Sequence, residues 1–455
     1  MIGWDSAQLA EISGARILGH PPASGGPSRI VIDSREAGPG DLFVGLTGSR
    51  GDGGSFAQSA LDAGAWGVLV APQHAQAAHG PGVRLAHPEP LLALHAHARA
   101  WRRALGAKVI AITGSTGKTS TKDIVGALLR PARRTVASPL NHNTEIGLPL
   151  TVLGAPPDTE VLVLEMGMRG LGQIAELTAV AEPDVGVIVS VGPVHLELLG
   201  SLSAIAAAKA ELMAGLAPGA TAVIPVGEPL LEDHVRGDLN TVRFGPGGDV
   251  RLERVQTDGR VEIAAGDERV VLRPSFAAAH QRDWNLLAAV AAARAIGVLP
   301  SGDLDVAFSA GRGERVQLAG SVTLVDDCYN ANPMSMRAAL TDLAATADGR
   351  RVAVLGDMLE LGPQAPEFHA AIGAQAGAVG VGLLVTVGPL AAAMAERFPG
   401  ELVVLADAQA AADELPSLLR DGDTVLVKGS QGVGLARVVD ALRSARDLGA
   451  RNGTR

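Results

Sequence analysis

The stretch of the chain that decides the fold runs from Lys108 to Leu129 and reads KVIAITGSTGKTSTKDIVGALL. It begins with a short apolar run, Val109–Thr113, of the kind found in buried parallel strands, and it ends with a helix-like segment, Thr119–Leu129. The glycine-rich turn between them joins the end of a strand to the start of a helix. Backbone N–H groups of such a turn bind phosphate oxygens together with the helix N-terminus. The stretch therefore predicts an α/β fold with a phosphate-binding loop.

Two side chains strengthen the phosphate-loop interpretation. Lys118 is placed to neutralise nucleotide phosphates, and Thr119 is placed to offer its hydroxyl to Mg²⁺. The loop is a short G-x-x-G-K-T form, because Ile112 stands where the longer Walker pattern has its first glycine. The alternative is a glycine-rich turn that binds nothing, which the presence of both Lys and Thr disfavours. The predicted nucleotide-binding residues here are Gly114, Ser115, Thr116, Gly117, Lys118, Thr119 and Ser120.

Apolar runs alternate with helix-like segments on the C-terminal side of this loop, which indicates a parallel sheet with helices on both faces. The predicted strands are Val161–Leu164, Val185–Val189 and Ala222–Ile224, and the predicted helices are Gln173–Val180, Ala204–Leu216 and Asn285–Ala295. Alternating apolar and polar positions over residues 245–275 predict a small antiparallel insertion.

The regions on either side of this sheet form separate units. Residues 1–97 contain predicted strands at Ile30–Ile32 and Leu42–Val44 and a predicted helix at Phe56–Ala63. We expect the breaker-rich segment Ala71–Pro90 to be a surface connection. From Gly311 onward a second strand–helix alternation predicts an independent α/β sheet that ends in a polar, frayed tail, Asp447–Arg455. The chain thus divides into three predicted domains, 1–97, 98–311 and 312–455.

The composition excludes several classes of protein. The 455 residues are 47% hydrophobic and 19% charged, which is enough apolar material for large cores and is not typical of disorder. The net charge of −10 argues against a nucleic-acid coat or a polybasic membrane patch. The sequence has no apolar run long enough to cross a membrane, and its N-terminus shows no basic segment followed by an apolar one. We therefore expect neither membrane insertion nor secretion. Cys328 is the single cysteine, which excludes an internal disulfide and fits the reducing cytoplasm.

Three further residues are candidates for the site. Glu165 ends a predicted strand, at the edge of the sheet where the phosphate loop lies, and is a candidate Mg²⁺ ligand. His195 follows the next predicted strand, and Lys209 lies in an alanine-rich helix. Lys209 is one of only five lysines among the 38 Lys and Arg residues. Each residue alone also fits a structural role. Glu165 could be a cap or a solvated residue, His195 an ordinary loop histidine, and Lys209 a lysine that extends to solvent.

These residues together with several longer strings resemble the Mur ligases, the ATP-dependent amide-bond-forming enzymes of peptidoglycan synthesis. The strings common to the family are Asp33-Ser34-Arg35, residues 114–119, Asn143–Leu150, Glu165-Met166-Gly167, Gly192–Glu197 and Lys209-Ala210-Glu211. Two strings in the last region, Tyr329–Pro333 and Gly356–Gly362, are characteristic of the branch that adds a D-alanyl-D-alanine dipeptide.

The resemblance implies a fold and a set of site residues. It implies a UDP-sugar-binding domain, a central parallel-sheet P-loop ATPase domain and a C-terminal Rossmann-like lid. Lys118, Lys209, His195 and Glu165 are the implied catalytic residues. Lys209 is expected to be carbamylated and to hold one Mg²⁺ with His195, while Thr119 and Glu165 hold another. Asn285, Arg312, Asn330 and Asn332 are the further implied ATP contacts, and Ser34, Arg35, Asn141 and Asn143 are the implied contacts of the UDP substrate.

The implied reaction joins D-alanyl-D-alanine to UDP-N-acetylmuramoyl-tripeptide, with an acyl phosphate as intermediate. We expect a cytoplasmic monomer with no nucleic-acid partner. The alternatives are a sister ligase that adds another amino acid, a folate polyglutamate ligase, a catalytically silent scaffold and a nucleotide switch. The third residue of the acceptor peptide, diaminopimelate or lysine, stays open.

The chain departs from the family pattern at several positions. Gln431 stands where relatives often have arginine, and Ala436 stands at a commonly acidic position. The usual Asp-Gly-His reads Asp52-Gly53-Gly54, and Thr144 replaces a common asparagine. The spacing from His280 to Asn285 is one residue longer than the family pattern.

Overall fold

The computed structural model describes residues 3–19, 25–49, 51–276 and 278–452. These residues form sheets of five, ten and six strands and a two-stranded ribbon. We call the parts of the chain that carry the three larger sheets the first domain, the central domain and the lid. The α/β class is confirmed, whereas the predicted boundaries at residues 97 and 311 stay predictions.

The first domain has a sheet in the order β1-β7-β6-β3-β2, parallel except for β1 against β7. Its strands are β1 (Arg16–Leu18), β2 (Arg29–Val31), β3 (Asp41–Val44), β6 (Gly67–Val70) and β7 (Val83–Ala86), and the ribbon is β4 (Thr47–Gly48) with β5 (Gly51–Asp52). Its helices are α1 (Ser6–Ser13), α2 (Ala57–Asp62), α3 (Pro72–Ala77) and α4 (Pro90–Leu105).

The prediction that Ala71–Pro90 is only a surface connection is wrong. Pro72 is the first residue of α3, a position where the missing N–H of proline costs no hydrogen bond. Further on, Val83 and Leu85 are buried because β7 pairs with strands on both sides. Prolines and glycines here mark the ends of short elements, and the elements themselves belong to the core.

The central sheet runs in the order β17-β16-β15-β14-β13-β12-β11-β8-β10-β9. The strands are β8 (Lys108–Thr113), β9 (Thr135–Ala137), β10 (Val161–Glu165), β11 (Val185–Ile188), β12 (Thr221–Pro225), β13 (Asn240–Phe244), β14 (Val250–Val255), β15 (Val261–Ala265), β16 (Glu268–Pro274) and β17 (Gly302–Leu304). The helices are α5 (Lys118–Leu129), α6 (Gly147–Leu153), α7 (Gln173–Ala181), α8 (Leu196–Leu199), α9 (Leu202–Ala214), α10 (Pro229–Glu232) and α11 (Leu286–Ala295).

Antiparallel pairing over residues 245–275 is confirmed, because β14, β15 and β16 form a meander. The meander is joined to β13 and so lengthens the central sheet instead of standing apart from it. Both faces of this sheet are covered: α5 and α11 pack in one core, and α4, α6, α7 and α9 pack in the other.

The lid has a sheet in the order β18-β19-β23-β20-β21-β22, parallel except for β18 against β19. Its strands are β18 (Glu314–Leu318), β19 (Val322–Asp326), β20 (Arg351–Gly356), β21 (Leu383–Val387), β22 (Glu401–Leu405) and β23 (Thr424–Lys428), and its helices are α12 (Pro333–Thr346), α13 (Ala365–Ala378), α14 (Ala408–Leu418) and α15 (Ala436–Asn452). The tail that we expected to fray is helical as far as Asn452, and residues 453–455 lie outside the described part.

The lid packs on the central domain beside the phosphate loop. A Cβ atom at Gly192 would lie 1.8 Å from Sδ of Met334, the second residue of α12. The backbone of Gly192 also exchanges two hydrogen bonds with the side chain of Ser115, at 2.9 and 3.0 Å. The absence of a side chain at Gly192 thus lets the lid helix reach the loop.

We predict that Gly192→Ala displaces the Met334 side chain at the start of α12 and loosens the packing there, because two atoms cannot occupy the same space. Hydrogen–deuterium exchange over residues 333–340 should rise in Gly192→Ala and return toward the wild-type rate in Gly192→Ala/Met334→Ala. Gly170→Ala is the matched control, since its added methyl would meet no atom within 4 Å. Unchanged exchange in Gly192→Ala would contradict this account of lid packing.

Candidate active site

The phosphate loop lies at the carboxyl end of β8, between β10 and β11. Ligands of open α/β sheets bind at this edge. The loop backbone is held by Ser190, two residues after β11: Ser115 N donates to Ser190 O at 2.9 Å, and Thr116 N donates to Ser190 Oγ at 2.9 Å. Gly117 has φ +82°, and a Cβ there would stand 2.4 Å from Asn285 Oδ1. Glycine is therefore required at this position by both conformation and space.

Lys118 is folded back over the loop, where its Nζ donates to Gly114 O at 2.8 Å. Burial lowers the pKa of its ammonium, Glu165 acts in the opposite direction, and the nearby Arg312 lowers the pKa further. Glu165 thus only partly balances the charge of this ammonium. A bound phosphate group would supply the remaining negative charge.

Glu165 is the last residue of β10 and is 2% exposed. Its Oε1 accepts from Asn143 Nδ2 at 2.8 Å, whereas its buried Oε2 has no hydrogen-bond partner among the residues that the structure describes. A buried carboxylate oxygen without a partner is costly, so this atom fits a hard cation. The described residues contain no group of three or more His, Cys, Asp or Glu side chains suited to a metal. Mg²⁺ at phosphate sites, however, takes one or two carboxylates and completes its shell from substrate and water.

His195 links the central domain to the lid. It adopts a left-handed conformation, with φ +53°, after β11. Its Nδ1 is hydrogen-bonded to the carboxylate of Glu360, a lid residue that also has positive φ. Burial lowers the pKa of His195, and Glu360 partly offsets that effect. The contact leaves Nε2 of the imidazole for another ligand.

Lys209 is 2% exposed within α9, and no hydrogen bond or ion pair of its ammonium is found in the described structure. Its pKa lies well below the ordinary value, because burial removes water and because Lys118 adds like charge. A neutral amine is the form that reacts with carbon dioxide. The neighbouring Glu211 has a structural role, since its carboxylate accepts from Gly172 N and Ala175 N at the start of α7.

The segment before α11 contains a π turn, Gln281–Asn285. A π turn holds one more residue than an α turn, and the distance from His280 to Asn285 is one residue longer than the family pattern. Within the turn, Asn285 Nδ2 donates to Gln281 Oε1 at 2.7 Å, and Gln281 Nε2 donates to Ser120 Oγ at 3.2 Å. The extra residue is thus absorbed while Asn285 stays beside Gly117.

The lid contributes a cation to the loop. Arg312 Nη2 donates to Thr119 Oγ1 at 3.2 Å, and the guanidinium lies 4.2 Å from the centre of the Tyr329 ring. Its Nε is buried and has no hydrogen-bond partner within the described part of the chain. Asn332 Nδ2 donates to Ser115 O at 3.3 Å, which fixes the N-cap of α12 against the loop.

A cavity of about 840 Å³ lies between these groups. It brings together most of the predicted residues: Ser115, Thr116, Gly117, Lys118, Thr119, Ser120, Asn141, Asn143, Glu165, His195, Asn285, Arg312, Asn330 and Asn332. Gly114 and Lys209 are not among the residues that line it. Ser34 and Arg35 belong to the first domain, where Arg35 is ion-paired with Asp33.

Sequence reasoning missed several residues of this site. Glu360 on His195 and Asp342 on His280 join the lid to the central domain, and Tyr329 packs under Arg312 within the lid. Glu360 and Tyr329 lie inside strings that the sequence already marks as specific. Asp342 lies in α12, where no sequence motif marks it as a functional residue. Only the packing of the two domains brings it to His280.

Fold and site together define a class of protein: a three-domain, phosphate-loop nucleotide-binding enzyme whose lid supplies an arginine to the loop. Family models match almost the whole chain. They are the Mur ligase family catalytic domain over residues 28–109, the Mur ligase middle domain over 112–293, and the Mur ligase glutamate ligase domain over 311–431. The chain belongs to the Mur ligase family.

Similar proteins agree with this assignment. The UDP-N-acetylmuramoyl-tripeptide–D-alanyl-D-alanine ligase of Synechocystis is 38% identical, over 91% of this chain and 92% of its own. The enzyme of the same name from Bacillus subtilis is 34% identical over the same shares. Among solved structures, MurF from Acinetobacter baumannii has a TM-score of 0.87 at 28% identity, covering 97% of this chain and 99% of its own. MurF from Thermotoga maritima in complex with ADP has a TM-score of 0.80 at 30% identity, covering 92% and 98%.

No helix in the described ranges combines the length and the apolar character that a membrane crossing requires.

Lys428 holds a loop on the lid side of the cavity in place. It is 2% exposed, donates to Asp327 Oδ2 at 2.7 Å and to Asn330 O at 3.0 Å, and so fixes the loop that carries Asn330. Lys428→Met leaves Asp327 without its cation and should lower the free energy of unfolding by about 3 kcal/mol, because breaking a buried pair leaves a charge uncompensated.

The midpoint of urea unfolding of the lid measures this effect. Adding Asp327→Leu to Lys428→Met should recover much of the loss. Arg397→Met removes the exposed lid pair with Glu367 and is the control, for which we expect at most about 1 kcal/mol. Equal effects of the two single variants would refute the role of Lys428.

Proposed function

We propose that this chain uses ATP to join D-alanyl-D-alanine to UDP-N-acetylmuramoyl-tripeptide in peptidoglycan precursor synthesis, as a cytoplasmic monomer. The observation that carries the proposal is the cavity in which Lys118, Glu165, His195 and Arg312 face one another across the domain seam. The names of the similar proteins support this choice of substrates.

The first step is attack of the tripeptide carboxylate on the γ-phosphorus of ATP. The bond to the β–γ bridging oxygen breaks, and an acyl phosphate and ADP form. Both reactants are anions, so the site must neutralise charge and hold the two groups in line. Lys118 supplies a cation from the loop, and Arg312 supplies one from the lid. The backbone N–H groups of the loop bind the phosphate oxygens.

The residues present fit a Mg²⁺ requirement. The orphaned Oε2 of Glu165 and the hydroxyl of Thr119 would hold one ion, and Nε2 of His195 with a modified Lys209 would hold another. Bound Mg²⁺ supplies further charge neutralisation on the phosphate oxygens. Carbamylation forms a bond from Nζ of Lys209 to the carbon of CO₂ with release of a proton, and converts a buried amine into an oxygen donor. The low pKa and the unpartnered burial of Lys209 support this modification.

The second step is attack of the amine of D-alanyl-D-alanine on the acyl carbon, with departure of inorganic phosphate. The acyl phosphate is prone to hydrolysis, so water must be excluded while it exists. Met334 packs on Gly192 and Glu360 bonds to His195, so lid residues stand against the central domain beside the cavity.

The test of the proposal is phosphate release by the full chain. Release should require ATP, UDP-N-acetylmuramoyl-tripeptide and D-alanyl-D-alanine together. A panel of acceptor nucleotides that end in diaminopimelate or lysine then identifies the third peptide residue. Release with free amino acids or with folate substrates in place of the dipeptide would favour a sister or folate ligase. ATP binding without turnover on any substrate would favour a scaffold or a switch.

Lys118→Ala should lower turnover by at least about 100-fold, because a cation aimed at developing negative charge is lost from the site. Folding should be retained, since the hydrogen bond of the Lys118 side chain found among the described residues is to Gly114 O in the loop itself. The matched control is Lys108→Ala, which removes an exposed lysine paired with Asp184 at the other end of the same strand. Near-normal turnover in Lys118→Ala would contradict the phosphate-loop assignment.

Lys209→Ala should lose activity, and Lys209→Arg should not restore it, because arginine keeps the charge but forms no comparable oxygen ligand. Acetate should partly rescue Lys209→Ala by supplying a carboxylate in the vacated space. Carbon-13 NMR of protein equilibrated with ¹³C-bicarbonate should show a carbamate signal that is absent in both variants. An active Lys209→Arg enzyme, or no such signal in the wild type, would overturn the modification.

A further inference from the structure

The loop that follows β20 carries Glu360 to the imidazole of His195. It reads Asp357-Met358-Leu359-Glu360 and leads from β20 toward α13. Glu360 has φ +62°, which is uncommon for a residue with a side chain. Its carbonyl oxygen also accepts from Glu197 N in the central domain at 3.2 Å. A backbone in this conformation persists only where the surrounding structure holds it in place.

His369 supports this loop from α13. Its side chain is 0% exposed, and its Nε2 accepts from Met358 N at 2.9 Å. Its Nδ1 lies 2.6 Å from the carbonyl oxygen of Ala365, the first residue of α13. A backbone N–H only donates and a carbonyl only accepts, so the ring must carry its proton on Nδ1 and leave Nε2 bare. Burial lowers the pKa of His369, which favours this neutral form.

Two further contacts hold the same loop. Ser430 Oγ accepts from Leu359 N at 3.0 Å, and Ser430 N donates to Asp357 O at 2.9 Å. The carboxylate of Asp357 accepts from Ala391 N at 2.7 Å. The N–H groups of the two residues that precede Glu360 are thus each held by a side chain from elsewhere in the lid. The direction in which Glu360 leaves the loop depends on both.

We infer that His369 is a positioning residue for the reaction: its hydrogen bond to Met358 holds the loop so that Glu360 orients the ring of His195. A carboxylate on one ring nitrogen fixes the tautomer of a histidine and the orientation of its ring. His195 lines the cavity, whereas His369 is not among the lining residues, so His369 has to act through the loop. The inference rests on the proposed function.

Two amide substitutions separate this positioning role from a purely structural one. Glutamine reaches the place of Nε2, so His369→Gln keeps an acceptor for Met358 N. Asparagine reaches only the place of Nδ1, so His369→Asn keeps a donor for Ala365 O and leaves Met358 N without its acceptor. Each variant loses one hydrogen bond of the ring, so each should lower the free energy of unfolding of the lid by a similar amount.

Turnover of the full chain should differ between the two variants. His369→Asn should lower kcat about tenfold and leave both nucleotide KM values unchanged, because such losses are typical when a residue that orients a site histidine is removed. His369→Gln should keep most of the wild-type kcat. Glu360→Ala should lower kcat at least as far, and adding His369→Asn to it should cause no further loss, because the two residues act on His195 in series. Equal kcat in the two His369 variants, or additive losses in the double variant, would overturn the inference.

The tautomer of His195 gives a readout that does not depend on catalysis. Nitrogen-15 NMR of histidine-labelled, metal-free protein at slightly alkaline pH should show the His195 ring protonated on Nδ1 in the wild type and in His369→Gln. The signal is identified by its loss in His195→Gln. In His369→Asn it should shift toward the form protonated on Nε2, because Glu360 no longer holds the proton on Nδ1.

An unchanged His195 tautomer in His369→Asn would overturn the inference even if kcat fell. Wild-type protein without turnover on the proposed substrates would overturn the proposed function instead. The tautomer would then still decide whether His369 positions His195.

Discussion

Buried charge without a full set of partners is the constraint on which the rest of this structure depends. Glu165 Oε2 and Arg312 Nε are buried without a hydrogen-bond partner in the described structure, and the amine of Lys209 belongs to a residue that is 2% exposed. Each group costs folding free energy in this state. The large apolar cores on both faces of the central sheet supply the stability that lets the chain hold these groups in place. A site arranged in this way is complementary to anions and hard cations before either one binds.

The seam between the central domain and the lid is built from contacts that each involve the site itself. Arg312 reaches Thr119, Asn332 reaches Ser115, and Glu360 reaches His195. The position of the lid therefore determines the geometry of the site, because a movement of the lid would take Arg312, Asn332 and Glu360 away from their partners. His280 with Asp342 adds a contact of the same kind beside the π turn.

Two departures from the family pattern are absorbed locally, without a change of fold. The extra residue before Asn285 becomes a π turn, which keeps Asn285 against Gly117. The glycine at position 54 leaves the space that the His74 ring fills. Gln431, a further departure from the expected pattern, lines the cavity.

The sequence by itself determined the phosphate loop, the strand–helix alternation and the polar residues at strand ends, because these follow from local periodicity and from the parallel arrangement of strands. Glu165 beside the loop is of this kind. The tertiary structure decided what depends on distant parts of the chain: that β7 is a buried strand, that Lys209 is 2% exposed, and that Glu360 and Asp342 meet their partners. Local pattern carries no information about these pairs, because residues far apart in sequence become neighbours only when whole domains pack together.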